Sequence, residues 1–112
     1  MSNAVLAEEL FYLCNIAEPS EDEGFLVEFP DRPAVAVFKY EDGFHVIDDK
    51  CTHGNASLCE GEVDGCEVEC PFHAGAFNFI TGEPTAAPCS VPIQVYSTKV
   101  INDKLYMVIK NA

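Results

Sequence analysis

Apolar residues fall along this chain in short clusters, cut every few positions by Gly, Pro, Asp or Asn. Brief alternating or continuous apolar runs of this kind mark strands, and no stretch carries the three-to-four spacing of a convincing helix. Strands are therefore predicted over residues 10–14, 25–29, 34–40, 44–48, 63–64, 66–70, 76–80, 93–96, 99–102 and 105–110. Pro30-Asp31-Arg32-Pro33 is turn-forming and separates the second from the third. Glu41-Asp42-Gly43 predicts a hairpin through its Asp-Gly pair, and Asp103-Lys104 joins the last two strands. Residues 81–88 form the one long irregular stretch, which its prolines make stiff and non-helical. Frequent short strands with such punctuation predict an all-β architecture, a sandwich or barrel.

A chain of 112 residues leaves room for one domain, spanning 1–112, with one modest core. An apolar content of 48% makes it globular rather than disordered. The 19 acidic residues against 6 basic ones give a net charge of −13, which repels nucleic acid and anionic membranes. The same charge attracts a partner with a basic patch in a salt-dependent way, although acidity also simply keeps a small protein soluble. Residues 1–9 have neither a basic n-region nor a long apolar h-region, so no signal peptide is expected. The lone arginine, Arg32, excludes a twin-arginine signal, and the longest apolar run, 34–38, is too short to span a bilayer. A soluble cytoplasmic protein is expected.

Six cysteines in a short chain usually suggest a secreted disulfide framework, but without a signal peptide thiolate ligation is the better use of two of them. Those two stand in Cys51-Thr52-His53 and Cys70-Pro71-Phe72-His73, loosely related segments that each open on Cys and close on His shortly before a Gly. Two thiolates and two imidazoles suit a [2Fe–2S] cluster with Cys51 and Cys70 on one iron and His53 and His73 on the other. Gly54 and Gly75 let backbone N–H groups approach the sulfides, and Pro71 stiffens the second turn. Structural zinc is the rival, but zinc fingers pair Cys with Cys and His with His, not one of each. Plant-type ferredoxin spacing does not occur among the six cysteines. Cys14, Cys59, Cys66 and Cys89 are expected to be small buried hydrophobes.

The run from Cys51 to Val63, together with Glu69-Cys70-Pro71-Phe72-His73-Ala74-Gly75-Ala76-Phe77 and Thr81-Gly82-Glu83-Pro84, resembles the small Rieske ferredoxins of bacterial aromatic-ring-hydroxylating dioxygenase systems. Biphenyl- and carbazole-type systems are nearest in pattern. The resemblance implies a Rieske fold, an antiparallel β-sandwich base carrying a cluster-binding subdomain at about 46–88, with the histidine edges at an exposed tip. It implies one Rieske-type [2Fe–2S] cluster bound by Cys51, His53, Cys70 and His73. It also implies a monomeric shuttle taking electrons from an NAD(P)H-dependent flavin ferredoxin reductase to a terminal ring-hydroxylating oxygenase, with residues 81–88 as a lid. Lys50, Asn55, Pro71, Phe72 and Pro88 would surround the tip where partners dock.

High-potential Rieske proteins of respiratory complexes resemble the motif too, but carry Ser and Tyr where this chain has Gly75 and Phe77, and a loop-bridging disulfide at the positions of Ala56 and Phe72. Those departures imply a potential near the low end of the Rieske range, on the order of −150 mV. The chain is not expected to be an enzyme. A Rieske oxygenase also needs mononuclear iron on two His and a carboxylate, and His45 alone cannot complete that triad. No G-x-G-x-x-G nucleotide fingerprint occurs. The second reading is a fixed Rieske subunit of a larger enzyme, such as the small subunit of assimilatory nitrite reductase.

Overall fold

The run Val35-Ala36-Val37-Phe38 has no exposed side: all four side chains are fully buried. It lies on a central strand of a computed structural model that describes residues 7–72 and 75–111. Side chains alternate between the faces of a strand. Val35 and Val37 accordingly join one buried cluster with Leu13, Cys14, Val46, Leu105 and Met107. Ala36 and Phe38 join another with Ile47, Leu58, Val68, Phe77 and Phe79. A strand covered on both faces reads as a continuous apolar run rather than an alternating one.

In chain order the strands are β1 (Ala7–Asn15), β2 (Phe25–Val27), β3 (Val35–Tyr40), β4 (Gly43–Asp48), β5 (Val63–Asp64), β6 (Glu67–Glu69), β7 (Ala76–Asn78), β8 (Pro84–Ala86), β9 (Val95–Ile101) and β10 (Lys104–Asn111). A six-stranded antiparallel sheet has the order β1-β10-β9-β4-β3-β2, and a smaller one the order β5-β6-β7-β8. Side chains of β1 and β10 meet those of β3 and β4 in one cluster, so the large sheet curls over its own core. The second core lies between this sheet and the small one. There Phe38 of β3 stacks on Phe79 with ring centroids 4.7 Å apart and planes 6° from parallel. Burial of such a ring is worth about 1.5–3 kcal/mol, so this pair holds the small sheet onto the large.

The all-β expectation holds, with local corrections. Residues 93–96 and 99–102 are not two strands: β9 runs unbroken from Val95 to Ile101, because Ser97 and Thr98 keep pairing with Val108 and Met107. The stretch 81–88 is not wholly irregular, since Pro84–Ala86 forms the edge strand β8, a place where Pro costs no ladder bond. The strand predicted to reach residue 80 stops at Asn78, whose side-chain oxygen accepts the N–H groups of Ile80 and Thr81 and so makes a turn. Cys66 falls in the β5–β6 turn beside Gly65, whose φ is +62°, rather than opening a strand. Leu58–Glu60 forms one 3-10 turn. A bulge between Tyr12 and Cys14 lets consecutive residues, Leu13 and Cys14, both face the core.

Candidate metal centre

The first cysteine-histidine segment leaves the end of β4 and is tied down by Asp49. This carboxylate is 7% exposed, the one buried charged side chain among the described residues. Its Oδ2 accepts the Ser57 hydroxyl at 2.6 Å and its Oδ1 the Cys59 N–H at 2.9 Å. The backbone of Asp49 accepts Leu58 N–H at 2.7 Å, and Lys50 bridges to Ser57. Inside this clamp the Cys51 N–H donates to the Ala56 carbonyl at 2.9 Å. The second segment follows β6, and its Cys70 N–H donates to the Gly75 carbonyl at 2.6 Å. In both segments the cysteine closes onto the carbonyl of the fifth residue on (51 to 56, 70 to 75). Two stretches that share little beyond Cys, His and Gly therefore share the same closing hydrogen bond.

Cys51 and Cys70 are each 2% exposed and lie in the same buried cluster, while His53 is exposed. His73, the fourth expected ligand, lies outside the described residues. The backbone N–H of His53 points to the Cys51 sulfur at 3.4 Å, the kind of donor that steadies a thiolate. Two buried sulfurs with an exposed imidazole on one of their loops fit a [2Fe–2S] cluster of mixed Cys and His ligation.

A third segment closes over the pair. The Thr52 hydroxyl donates to the Val91 carbonyl at 2.8 Å, binding the first loop to residues 87–93. Cys89, 5% exposed, places its sulfur 3.8 Å from that of Cys51. Burial, then the contact with Cys51, then the charges of Cys51 and Cys70, push the Cys89 thiol up to about 12, so it keeps its proton at neutral pH. Gly75 faces the same spot: a Cβ there would stand 2.5 Å from the Cys89 sulfur and 3.0 Å from its backbone nitrogen. The covering role expected of residues 81–88 thus falls in part to residues 89–91.

The other candidates stay apart. His45 packs its ring 5.7 Å from that of Phe79, and burial lowers its pKa, in keeping with a structural histidine. Cys14 sits in the base core, its thiol pushed up to about 11 by burial and then by Glu18. Cys59 is half-buried with its sulfur 3.1 Å from the Ser57 hydroxyl, and Cys66 lies near the Asn78 amide at 3.5 Å. So two of the four cysteines expected to be buried, Cys59 and Cys66, are only partly so. Asp49, Thr52 and Cys89 are the site residues that the sequence did not single out. An acid among 19, one Thr among four and a cysteine with no spacing partner carry no local signal.

The family model for the Rieske [2Fe-2S] domain matches residues 9–97. Ferredoxin CarAc of Metapseudomonas resinovorans is 48% identical over 73 residues, 65% of this chain and 68% of that protein. The 3-phenylpropionate/cinnamic acid dioxygenase ferredoxin subunit of Photorhabdus laumondii is 33% identical over 99 residues, 88% of this chain and 92% of its own length. The complex of reduced oxygenase and oxidized ferredoxin in carbazole 1,9a-dioxygenase contains a chain that superposes with a TM-score of 0.83 at 38% identity, covering 88% of this chain and 91% of that one. A protein described as a nitrite reductase small subunit from Mycobacterium tuberculosis reaches a TM-score of 0.78 over 92% of this chain and 96% of its own, but at 20% identity it shares the fold alone. A cysteine-histidine segment leaving β4 of the large sheet and a second one following β6 of the small sheet, in a chain matched by the family model over most of its length, place this protein in the Rieske [2Fe–2S] domain family, with one Rieske-type [2Fe–2S] cluster as its cofactor.

Proposed function

We propose that this protein is a low-potential Rieske ferredoxin. It passes single electrons from an NAD(P)H-dependent flavin ferredoxin reductase to the terminal oxygenase of an aromatic-ring-hydroxylating dioxygenase, and transforms no substrate itself. The observation that carries this reading is the likeness, over most of the chain, to ferredoxin components of dioxygenase systems, one of them solved with its oxygenase. Cys51, His53, Cys70 and His73 would hold the cluster, which supplies one-electron storage when bound. Residues 46–88, with both ligand loops and the small sheet, form the proposed cluster-binding subdomain.

The residues of the chain insulate one side and open the other. Cys51 and Cys70 are sealed by Leu58, Phe77 and Cys89, all buried in the same cluster, while His53 faces outward as the proposed electron portal together with His73. Lys50, Asn55, Pro71, Phe72 and Pro88 are all exposed, Phe72 at 66%, and form the proposed docking rim. Gly75 and the buried Phe77 offer no side-chain hydroxyl, which supports a potential near the low end of the Rieske range, on the order of −150 mV. Among the described residues no helix is long and apolar enough to cross a membrane. A monomer working in the cytoplasm, where thiols such as those of Cys14, Cys59, Cys66 and Cys89 stay reduced, completes the reading.

Stopped-flow spectroscopy tests it. With NADH and a dioxygenase-type ferredoxin reductase the protein should be reduced, and it should be reoxidised on mixing with a ring-hydroxylating oxygenase. Failure of both steps, together with co-purification of a large reductase enzyme from the native host, would favour the fixed-subunit reading. Replacement of His73 by Cys should lower the potential or abolish the cluster, as read by voltammetry and absorption spectra; an unchanged potential and spectrum would remove His73 from the ligand set.

A further inference from the structure

Cys89 is a third buried thiol beside the two proposed ligand cysteines, and electron transfer as described makes no use of it. It has no room to be a casual neighbour. Its sulfur lies 3.8 Å from that of Cys51, within the reach of a sulfur hydrogen bond, and the backbone of Gly75 presses on it from the other side. With Cys51 and Cys89 both protonated either could be the donor. Once Cys51 binds iron as a thiolate it has no proton to give, and the direction of the bond is settled.

We propose that the Cys89 thiol donates a hydrogen bond to the Cys51 ligand sulfur and thereby holds the cluster potential above the value it would otherwise have. The inference rests on Cys51 being a cluster ligand. A donor aimed at a ligand sulfur withdraws negative charge from it, and that charge grows when the cluster takes up an electron. The bond is therefore stronger in the reduced protein and favours reduction. The thiol is suited to the place. It is buried among apolar side chains, where its single weak donor needs no further partner. It makes Cys89 a tuning residue that acts through a ligand, without touching iron.

Three replacements separate this role from packing. Cys89→Ser keeps a donor and strengthens it, Cys89→Val fills the space without one, and Cys89→Ala removes both. Each holoprotein is poised by protein-film voltammetry, with iron and sulfide content, the EPR spectrum of the reduced state and far-UV circular dichroism recorded on the same samples. The Val and Ala variants should keep a Rieske-type EPR signal while their reduced-to-oxidised ratio at fixed electrode potential falls roughly threefold, the worth of one weak hydrogen bond. The Ser variant should match or exceed the wild type. Equal falls in all three variants, or no change in any, would overturn the proposal and leave Cys89 as packing. If Val and Ala do not assemble a cluster, Ser against wild type decides alone: a lower potential in Ser overturns it. Loss of the cluster from a natively folded Ser variant would make Cys89 a ligand and also overturn it. A wild-type protein with no Rieske signal would instead remove the ligand assignment on which the inference stands.

Discussion

Asp49 shows how one side chain can set the shape of a ligand loop without touching what the loop binds. Its two carboxylate oxygens hold Ser57 and the N–H of Cys59, and its own carbonyl holds Leu58, so both ends of the Cys51 loop are fixed from one position. Replacement by Ala leaves two donors without their acceptor. It should cost about 1–3 kcal/mol, seen as a lower urea midpoint, together with faster loss of iron to a chelator. An unchanged midpoint and iron-release rate would show that the clamp has no role. The four candidate ligands were readable from the sequence because mixed Cys-x-His and Cys-x-x-His spacing has few other uses. Asp49 was not, since its importance comes from burial, and burial of an acid in so acidic a chain leaves no mark on composition. Cys89 was hidden for a related reason. Its partner Cys51 lies 38 positions away in sequence, and only the fold brings them together.

Strands followed local chemistry well where burial demands apolar side chains, and less well where long-range pairing decides. The residues on β3 and β4 were legible from their apolar content, and their ends from Pro33 and Gly43. The edge strand β8 and the unbroken β9 depend on partners supplied by β7 and β10, so local propensity under-called both. Turn positions drifted by one residue. Tyr40 pairs with Gly43, making Glu41-Asp42 the loop, and Ile101 pairs with Lys104, making Asn102-Asp103 the loop. Asn102 and Asp103 have φ of 51° and 64°, the left-handed pair that a two-residue hairpin turn requires. Asp103 is exposed, so Asp103→Gly removes a backbone penalty without disturbing packing. It should raise stability by about 0.5–1 kcal/mol after the entropy cost of glycine is counted. A lower melting temperature for this variant would contradict the turn assignment.

Taken together, the chain is a strongly acidic carrier with a buried pair of sulfurs below an exposed histidine. A net charge of −13 acts over the Debye length, about 10 Å at 0.1 M salt, and so governs encounter more than the final fit. Electron transfer to a partner with a basic docking face should therefore slow several-fold between low and high ionic strength, while the midpoint potential stays nearly constant. A rate indifferent to salt would mean that apolar contact through Phe72 and its neighbours carries recognition. The central claim is mixed ligation of one iron–sulfur cluster by Cys51, His53, Cys70 and His73. The most direct test is an anaerobic EPR spectrum of the dithionite-reduced protein, with iron, sulfide and zinc quantified on the same sample. A rhombic signal of low average g with about two irons and two sulfides per chain is the expected result. Zinc in place of iron, with no sulfide and no signal, would contradict it.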